Sequence, residues 1–496
     1  MLNPVWLKMH RWHEQPARQW QWLDCAISPA FCWSSRLFLP QSRRDKSPMS
    51  NEPRARKRLM SSMNIGRHGW CLLAFSIIAF VANIANAMTT ASSESNPRLI
   101  IVAVADKPAS APSAGSTPRG YAGLQNYAGS DRAIATAANV AHDYDLREVS
   151  AWTIESLRLR CMLFEIPAAA DRETIFTRLH KDDRVRLVQP LQDFDTYTTA
   201  PDAGGSTNMP EPTAYNDPYV GLQHGFTAIG AAAAQRWSNG GGIRVALIDT
   251  GVDAMHQDLA GRIELQRDFV TGSSSAANAD RHGTEVAGVI AAVANNGLGI
   301  VGVAPAARIL SYRACWPAQG GASAARCNTF TLAQALGAAI ASGAPIINLS
   351  LGGPSDPLLE ELLGYAIKRG AIVVGAVPPG GRMDGFPINV KGVIAVSSSE
   401  DAQPTGVVLA APGRDILTLE PGGHYDYASG SSLATAYVSG AVALLLVLDH
   451  HLDAPALLGL LQKSQRDGNT PINICEAISA LRRSGGNYAT TPVHAE

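Results

Sequence analysis

Ile243-Arg-Val-Ala-Leu-Ile-Asp249-Thr-Gly251 is a short apolar run that ends abruptly on a carboxylate, a hydroxyl and a glycine. Apart from its single Arg it has almost no polar alternation, and that is how a strand covered on both faces reads. Ala344-Pro-Ile-Ile-Asn-Leu-Ser-Leu351, Ala371-Ile-Val-Val-Gly-Ala-Val377 and Gly392-Val-Ile-Ala-Val-Ser397 repeat the pattern downstream. Between them, residues 284–294, 331–342 and 357–369 carry apolar residues at helical spacing. From about Asn216 onward the chain therefore reads as α/β, a parallel sheet sandwiched between helices.

Upstream the pattern differs. A strand is expected over 98–106, an Ala-rich helix over 132–142, strands over 147–154 and 158–166, a helix over 171–179 and a strand over 185–188. The order βαββαβ is that of a small α+β ferredoxin-like domain. Pro201-Asp-Ala-Gly-Gly-Ser-Thr207 has linker composition. The expected organisation is a βαββαβ domain over 88–200, a linker over 201–215, an α/β domain over 216–485 and a tail over 486–496.

The whole chain has 496 residues, 41 Lys+Arg against 42 Asp+Glu, and is 46% hydrophobic and 17% charged. That composition excludes a disordered chain, and seven cysteines at this length exclude a disulfide-dense mini-scaffold. The first 70 residues hold 12 Lys+Arg and 4 Asp+Glu, which leaves the body distinctly acidic. Nucleic-acid binding needs clustered cations and is set aside. Arg67-His68, the apolar run from Trp70 to Ala82 and Ala85-Asn-Ala87 have the layout of a secretory signal peptide. Such peptides begin a chain, so 63–87 reads as the signal and 1–62 as a non-native or mis-annotated extension. The alternative is a membrane anchor through 70–87.

Three residues suggest chemistry. Asp249 ends a buried parallel strand, at the sheet edge where α/β proteins place ligands. His282 stands at the start of a helix patterned by Val286, Val289, Ile290 and Val293. Ser432 lies in the first turn of an apolar helix, where the positive helix end stabilises developing negative charge. Taken singly, these are a turn carboxylate, a surface imidazole and an N-cap. Taken together they are the set a hydroxyl nucleophile requires: a His to take its proton and a carboxylate to orient that His. Of the known chain orders, Asp–His–Ser is the one used by subtilisin.

Val245-Ala-Leu-Ile-Asp-Thr-Gly-Val-Asp253, the block from His282 to Ala292, Ile347-Asn-Leu-Ser-Leu-Gly-Gly-Pro354 and Gly430-Ser-Ser-Leu-Ala-Thr-Ala-Tyr-Val-Ser-Gly440 resemble the four signature segments of subtilisin-like serine peptidases. The resemblance implies Asp249 as orienting acid, His282 as general base and Ser432 as nucleophile. It makes Ser350, Leu351 and Gly352 an edge strand that holds peptide substrate by main-chain hydrogen bonds. It also implies that the 88–200 domain is a propeptide that assists folding and then inhibits. Ser431, Leu433 and Ala436 depart from the family pattern tolerably, and Glu285 stands where many members carry a second His. At the oxyanion hole, Val377-Pro-Pro-Gly-Gly381 puts Pro379 where the family has an Asn, so a side-chain donor is expected to be missing. No metal site or cofactor is expected, and no calcium loop can be carried over. Cys315 and Cys327 flank a Gly/Ala-rich loop and are expected to form a disulfide in an exported chain.

The sequence therefore leads to the expectation of a secreted or periplasmic serine endopeptidase, made as a self-processed proenzyme and cut between residues 195 and 215. Its partners would be peptide or protein substrate and its own propeptide, with no membrane once the signal is removed. The rival expectation, carried by Pro379, is a weak or inactive relative that binds peptides or partners.

Overall fold

The computed structural model describes residues 96–106, 125–199, 215–270, 281–318 and 325–483. The extension, the signal or anchor segment, most of the linker and the tail lie outside the described residues.

The N-terminal unit runs β1 (Leu99–Ala105), α1 (Gln125–Asp143), β2 (Arg147–Ile154), β3 (Leu159–Glu165), α2 (Arg172–His180) and β4 (Val185–Pro190). Its four strands form an antiparallel sheet in the order β2-β3-β1-β4, with β1 bonded to both β3 and β4. This is the βαββαβ arrangement read from the sequence. The apolar run of β1 divides by alternation: Ile100, Val102 and Val104 pack under the unit's own helices, while Leu99, Ile101 and Ala103 face the second domain. A strand with both faces covered needs no polar face, and Leu-Ile-Ile-Val-Ala-Val-Ala provides none.

β5 (Asp193–Thr196) leaves this unit and joins a small sheet with β9 (Cys315–Pro317), β10 (Ala325–Asn328) and β12 (Leu351–Gly352), in the order β12-β5-β10-β9. Cys315 and Cys327 sit directly opposite one another in the β9–β10 ladder and form the expected disulfide.

The main sheet has seven strands: β6 (Arg244–Asp249), β7 (Ile263–Asp268), β8 (Arg308–Arg313), β11 (Ile346–Leu349), β13 (Ile372–Ala376), β14 (Ile394–Ser398) and β15 (Leu409–Ala411). Every pairing in the order β15-β14-β13-β11-β6-β8-β7 is parallel. One face packs on α3 (Arg281–Ala291) and α6 (Ser431–Leu448). The other packs on α4 (Thr329–Ser342) and α5 (Pro357–Lys368), and the N-terminal sheet closes over these two helices. An antiparallel ribbon of β16 (Ile416–Glu420) and β17 (His424–Ala428) precedes α6, and α7 (Ala454–Lys463) and α8 (Ile474–Arg483) follow it. Helix α6 is long and apolar enough to cross a membrane but is the buried core helix of this domain.

Strands β7, β8 and β15 were not expected from the sequence. β7 is a polar edge strand, Ile-Glu-Leu-Gln-Arg-Asp, and β8 is bounded by Arg308 and Arg313. β15 has three residues, too few for periodicity to register.

Candidate active site

Asp249, His282 and Ser432 come from the end of β6, the start of α3 and the first turn of α6. These elements touch one another, because α3 packs against both β6 and α6. Two hydroxyls interlock the loop after β6 with the first turn of α3. Thr250 accepts the Gly283 N–H at 3.0 Å through Oγ1, and Thr284 accepts the Asp253 N–H at 2.9 Å. Gly283 is required by this closeness, since a methyl group there would run into the Gly251 carbonyl. The sequence Asp-Thr-Gly followed later by His-Gly-Thr is thus a strand end and a helix start bolted together by each other's threonines.

The lock sets His282 Nδ1 2.6 Å from Asp249 Oδ1, with both side chains 1% exposed. The Asp249 carboxylate also accepts the Thr250 N–H at 2.7 Å. Burial disfavours a charged imidazole, but Asp249, by its charge and its hydrogen bond, and then Glu285 outweigh it, and the His282 pKa is raised above its ordinary value. His282 Nε2 is buried and has no hydrogen-bond partner among the described residues.

Glu285 lies one helical turn beyond His282 and is 1% exposed. Burial raises its pKa, against the opposing pull of His282 and Arg281. Arg281 holds one of its oxygens at 2.5 Å and extends to Glu420 at 2.9 Å and Asp426 at 3.0 Å, tying α3 to the β16–β17 ribbon.

Ser432 is fully buried. Its Oγ donates to the Ser350 carbonyl at 2.8 Å and accepts the Tyr197 N–H at 3.1 Å. No hydrogen bond joins it to His282 in this state. Behind it, Ser350 Oγ donates to the Ser432 carbonyl at 3.0 Å, Asn348 Nδ2 donates to Ser350 Oγ at 2.9 Å, and Ser439 Oγ donates to Asn348 Oδ1 at 2.8 Å. This fully buried chain pins α6 to the end of β11. In the first turn of α6 the Leu433 N–H donates to the Gly430 carbonyl at 3.1 Å, whereas the Ser432 N–H, one residue earlier, has no intrahelical acceptor by helix geometry.

The expected edge residues Leu351 and Gly352 form β12, and the antiparallel strand upon it is β5, with Leu351 opposite Thr196 and Gly352 opposite Asp195. Beyond the site, Thr199 and Ser429 exchange both main-chain hydrogen bonds, at 2.7 and 3.2 Å.

Pro379 occupies the second position of a turn closed by Gly381 N–H to Pro378 O at 3.0 Å, followed by Gly380 at φ +86°. Proline then glycine at these positions is the preference of a type II turn. The turn, with Ser397, Ser398 and the Ser429–Ser431 segment, walls a cavity of about 600 Å³ beside Tyr197. Ser431 Oγ donates to the Val377 carbonyl at 2.7 Å. A larger cavity, about 900 Å³, lies between β2 and helices α4 and α5 and shares no lining residue with Asp249, His282 or Ser432.

The sequence reading missed Thr250, Thr284, Asn348, Ser439 and Tyr197. Asn348 and Ser439 carry a legible signal, being polar residues inside otherwise apolar buried runs.

Residues 240–473 match the model of the subtilase family (Peptidase_S8). Thermitase of Thermoactinomyces vulgaris is 36% identical over 241 residues, which cover 46% of this chain and 84% of thermitase. A thermophilic serine proteinase of Bacillus sp. (strain AK1) is 32% identical over 310 residues, 60% of this chain and 73% of that protein. The crystal structure of fervidolysin from Fervidobacterium pennivorans, described as a keratinolytic enzyme related to subtilisin, superposes with a TM-score of 0.60 at 21% identity, over 80% of this chain and 62% of that one; it is a likeness of fold. With these matches and its seven-stranded parallel sheet, the chain belongs to the subtilase family of serine peptidases.

Proposed function

We propose that this chain is a secreted or periplasmic serine endopeptidase, made as a precursor whose residues 88–200 act as an inhibitory propeptide and whose catalytic triad is Asp249, His282 and Ser432. The observation that carries this reading is a strand of the chain's own backbone laid on β12 with a peptide N–H at the nucleophile, 3.1 Å from Ser432 Oγ. Extended polypeptide added to a sheet edge is how such a site holds a substrate.

In the reaction, rotation of the Ser432 side chain carries Oγ from the Ser350 carbonyl to His282 Nε2. Oγ attacks the substrate carbonyl carbon as Nε2 takes its proton, and Asp249 stabilises the imidazolium. The oxyanion is met by the Ser432 N–H at the positive end of α6, while Pro379 offers no donor. His282 then protonates the leaving amine, and water releases the acyl group by the same path reversed. In the precursor the substrate edge and Ser432 Oγ are both occupied by residues 193–199, which supports inhibition in cis. Residues 63–87 would direct export and be removed; if retained, 70–87 would anchor the enzyme to a membrane.

The test is casein or peptide-amide hydrolysis by the purified chain and by Ser432→Ala. Hydrolysis by the parent that falls to background in the variant is expected. Equal hydrolysis by both would reject the assignment. The Pro378–Gly381 turn favours a second reading, a peptide-binding relative with very slow turnover, which would appear as tight peptide binding without hydrolysis.

A further inference from the structure

Strand β5 presents one peptide bond to Ser432. On its N-terminal side the register is fixed by two pairs, Asp195 with Gly352 and Thr196 with Leu351. Thr196 is also tied to β10, where its Oγ1 accepts the Ala325 N–H at 2.8 Å. On the C-terminal side Thr199 is bonded twice to Ser429, three residues before the nucleophile. Only Tyr197 and Thr198 lie between these anchors. The Tyr197 N–H reaches Ser432 Oγ, and the Tyr197 carbonyl lies so close over the α-carbon of Gly430 that a methyl group at 430 would overlap it. The Tyr197 carbonyl carbon therefore lies beside the first turn of α6.

The side chain of Tyr197 is accommodated as specifically as its backbone. A methyl group on Gly352 would stand 2.5 Å from the Tyr197 hydroxyl and 3.1 Å from its ring. Glycine at 352 thus makes the room that the aromatic ring fills. Burial, and then the nearby Asp195 charge, push the Tyr197 phenol well above its ordinary pKa, in keeping with a ring half withdrawn from water.

We infer that the bond this chain cuts in itself is Tyr197–Thr198, and that its preferred substrates carry a large aromatic residue on the acyl side of the cut bond. The inference rests on the peptidase reading above and gives it a substrate class. Ser432 Oγ forms an ester with the Tyr197 carbonyl carbon as its proton passes to His282 Nε2. The carbon–nitrogen bond to Thr198 breaks, and the proton passes from Nε2 to the Thr198 nitrogen. Water then hydrolyses the ester, which leaves a Tyr197 carboxylate and restores the Ser432 hydroxyl. Cleavage frees Thr198 as a new amino terminus, while β5 stays paired with β12 and β10 until the N-terminal unit departs.

The test is a time course of the full chain, with the first pair of products identified by intact mass and terminal sequencing. A fragment ending at Tyr197 and a partner beginning at Thr198, both absent from Ser432→Ala, are expected. Tyr197→Phe should be cut at the same bond at a rate within a few-fold of the parent, and Tyr197→Lys at least tenfold more slowly. On peptide amides the mature enzyme should favour Tyr or Phe over Ala, Lys and Glu on the acyl side by at least tenfold. First products from any other bond, Thr196–Tyr197 included, or no aromatic preference, would overturn this inference while leaving the peptidase reading in place. A parent that is never cut and hydrolyses no peptide would overturn both.

Discussion

His282 is buried next to two carboxyl groups, and both raise its pKa, which bears on its proposed role as general base. A general base works only when neutral, so a raised pKa moves the acidic limb of the activity profile above that of an ordinary imidazole. Glu285→Gln removes one of the charges that raise it and still accepts from Arg281, so the acidic limb of kcat/KM should move to lower pH; a pH–rate profile of the two proteins reads this directly. The linkage has the same sign: a group whose pKa is raised on folding contributes stability that is complete below the unfolded value and is lost as pH rises through the folded one. In the proposed mechanism Pro379 is the second residue whose identity sets a rate. It sits at the second position of its turn, where Asn can replace it without forcing a positive φ. Pro379→Asn should raise turnover of peptide amides about 10- to 100-fold, less than a full oxyanion donor provides because Pro378 still constrains the loop. Equal steady-state kinetics in the two forms would mean that another group already serves as donor.

Among the elements, the loop after β6 and the first turn of α3, which interlock, are the part of the site with least room. Gly283→Ala forces the start of α3 away from the Gly251 carbonyl and takes His282 with it. Overpacking of this kind should cost about 1–3 kcal/mol in a denaturant melt and a larger share of activity, because the Asp249–His282 bond is set by the same contact. The four central strands, the helices at 329–342 and 357–368 and the N-terminal βαββαβ order were legible because each has enough apolar residues at one period to register. Asp249, His282 and Ser432 were legible because each ends or begins such an element. What escaped was short or polar: edge strand β7, three-residue β15, and above all β5, whose Asp-Phe-Asp-Thr has no length from which to read a period. Its partners lie far away in the sequence, and nothing in residues 193–199 announces that they end at Ser432.

At the scale of the molecule, the N-terminal unit is held by polar anchors as well as by the apolar sheet face over α4 and α5. Asp356 caps α5 through the Leu359 N–H at 3.0 Å, is buried, and accepts from Gln189 Nε2 at 2.8 Å and Thr329 Oγ1 at 2.6 Å. Gln189 in turn accepts the Leu358 N–H at 3.1 Å. Gln189→Ala strips partners from both Asp356 and the helix end, so docking of the N-terminal unit should weaken by about 1–3 kcal/mol. Titrating the separated N-terminal unit against hydrolysis by the mature enzyme would measure it as a roughly 5- to 150-fold rise in the inhibition constant. All of this depends on Ser432 being a nucleophile that His282 activates. The measurement that tests that most directly is reaction of the matured protein with a fluorophosphonate, followed by peptide mapping. The account predicts a single adduct on Ser432 that disappears in His282→Ala; an unlabelled Ser432 after prolonged exposure, or labelling that is undiminished in His282→Ala, would contradict it.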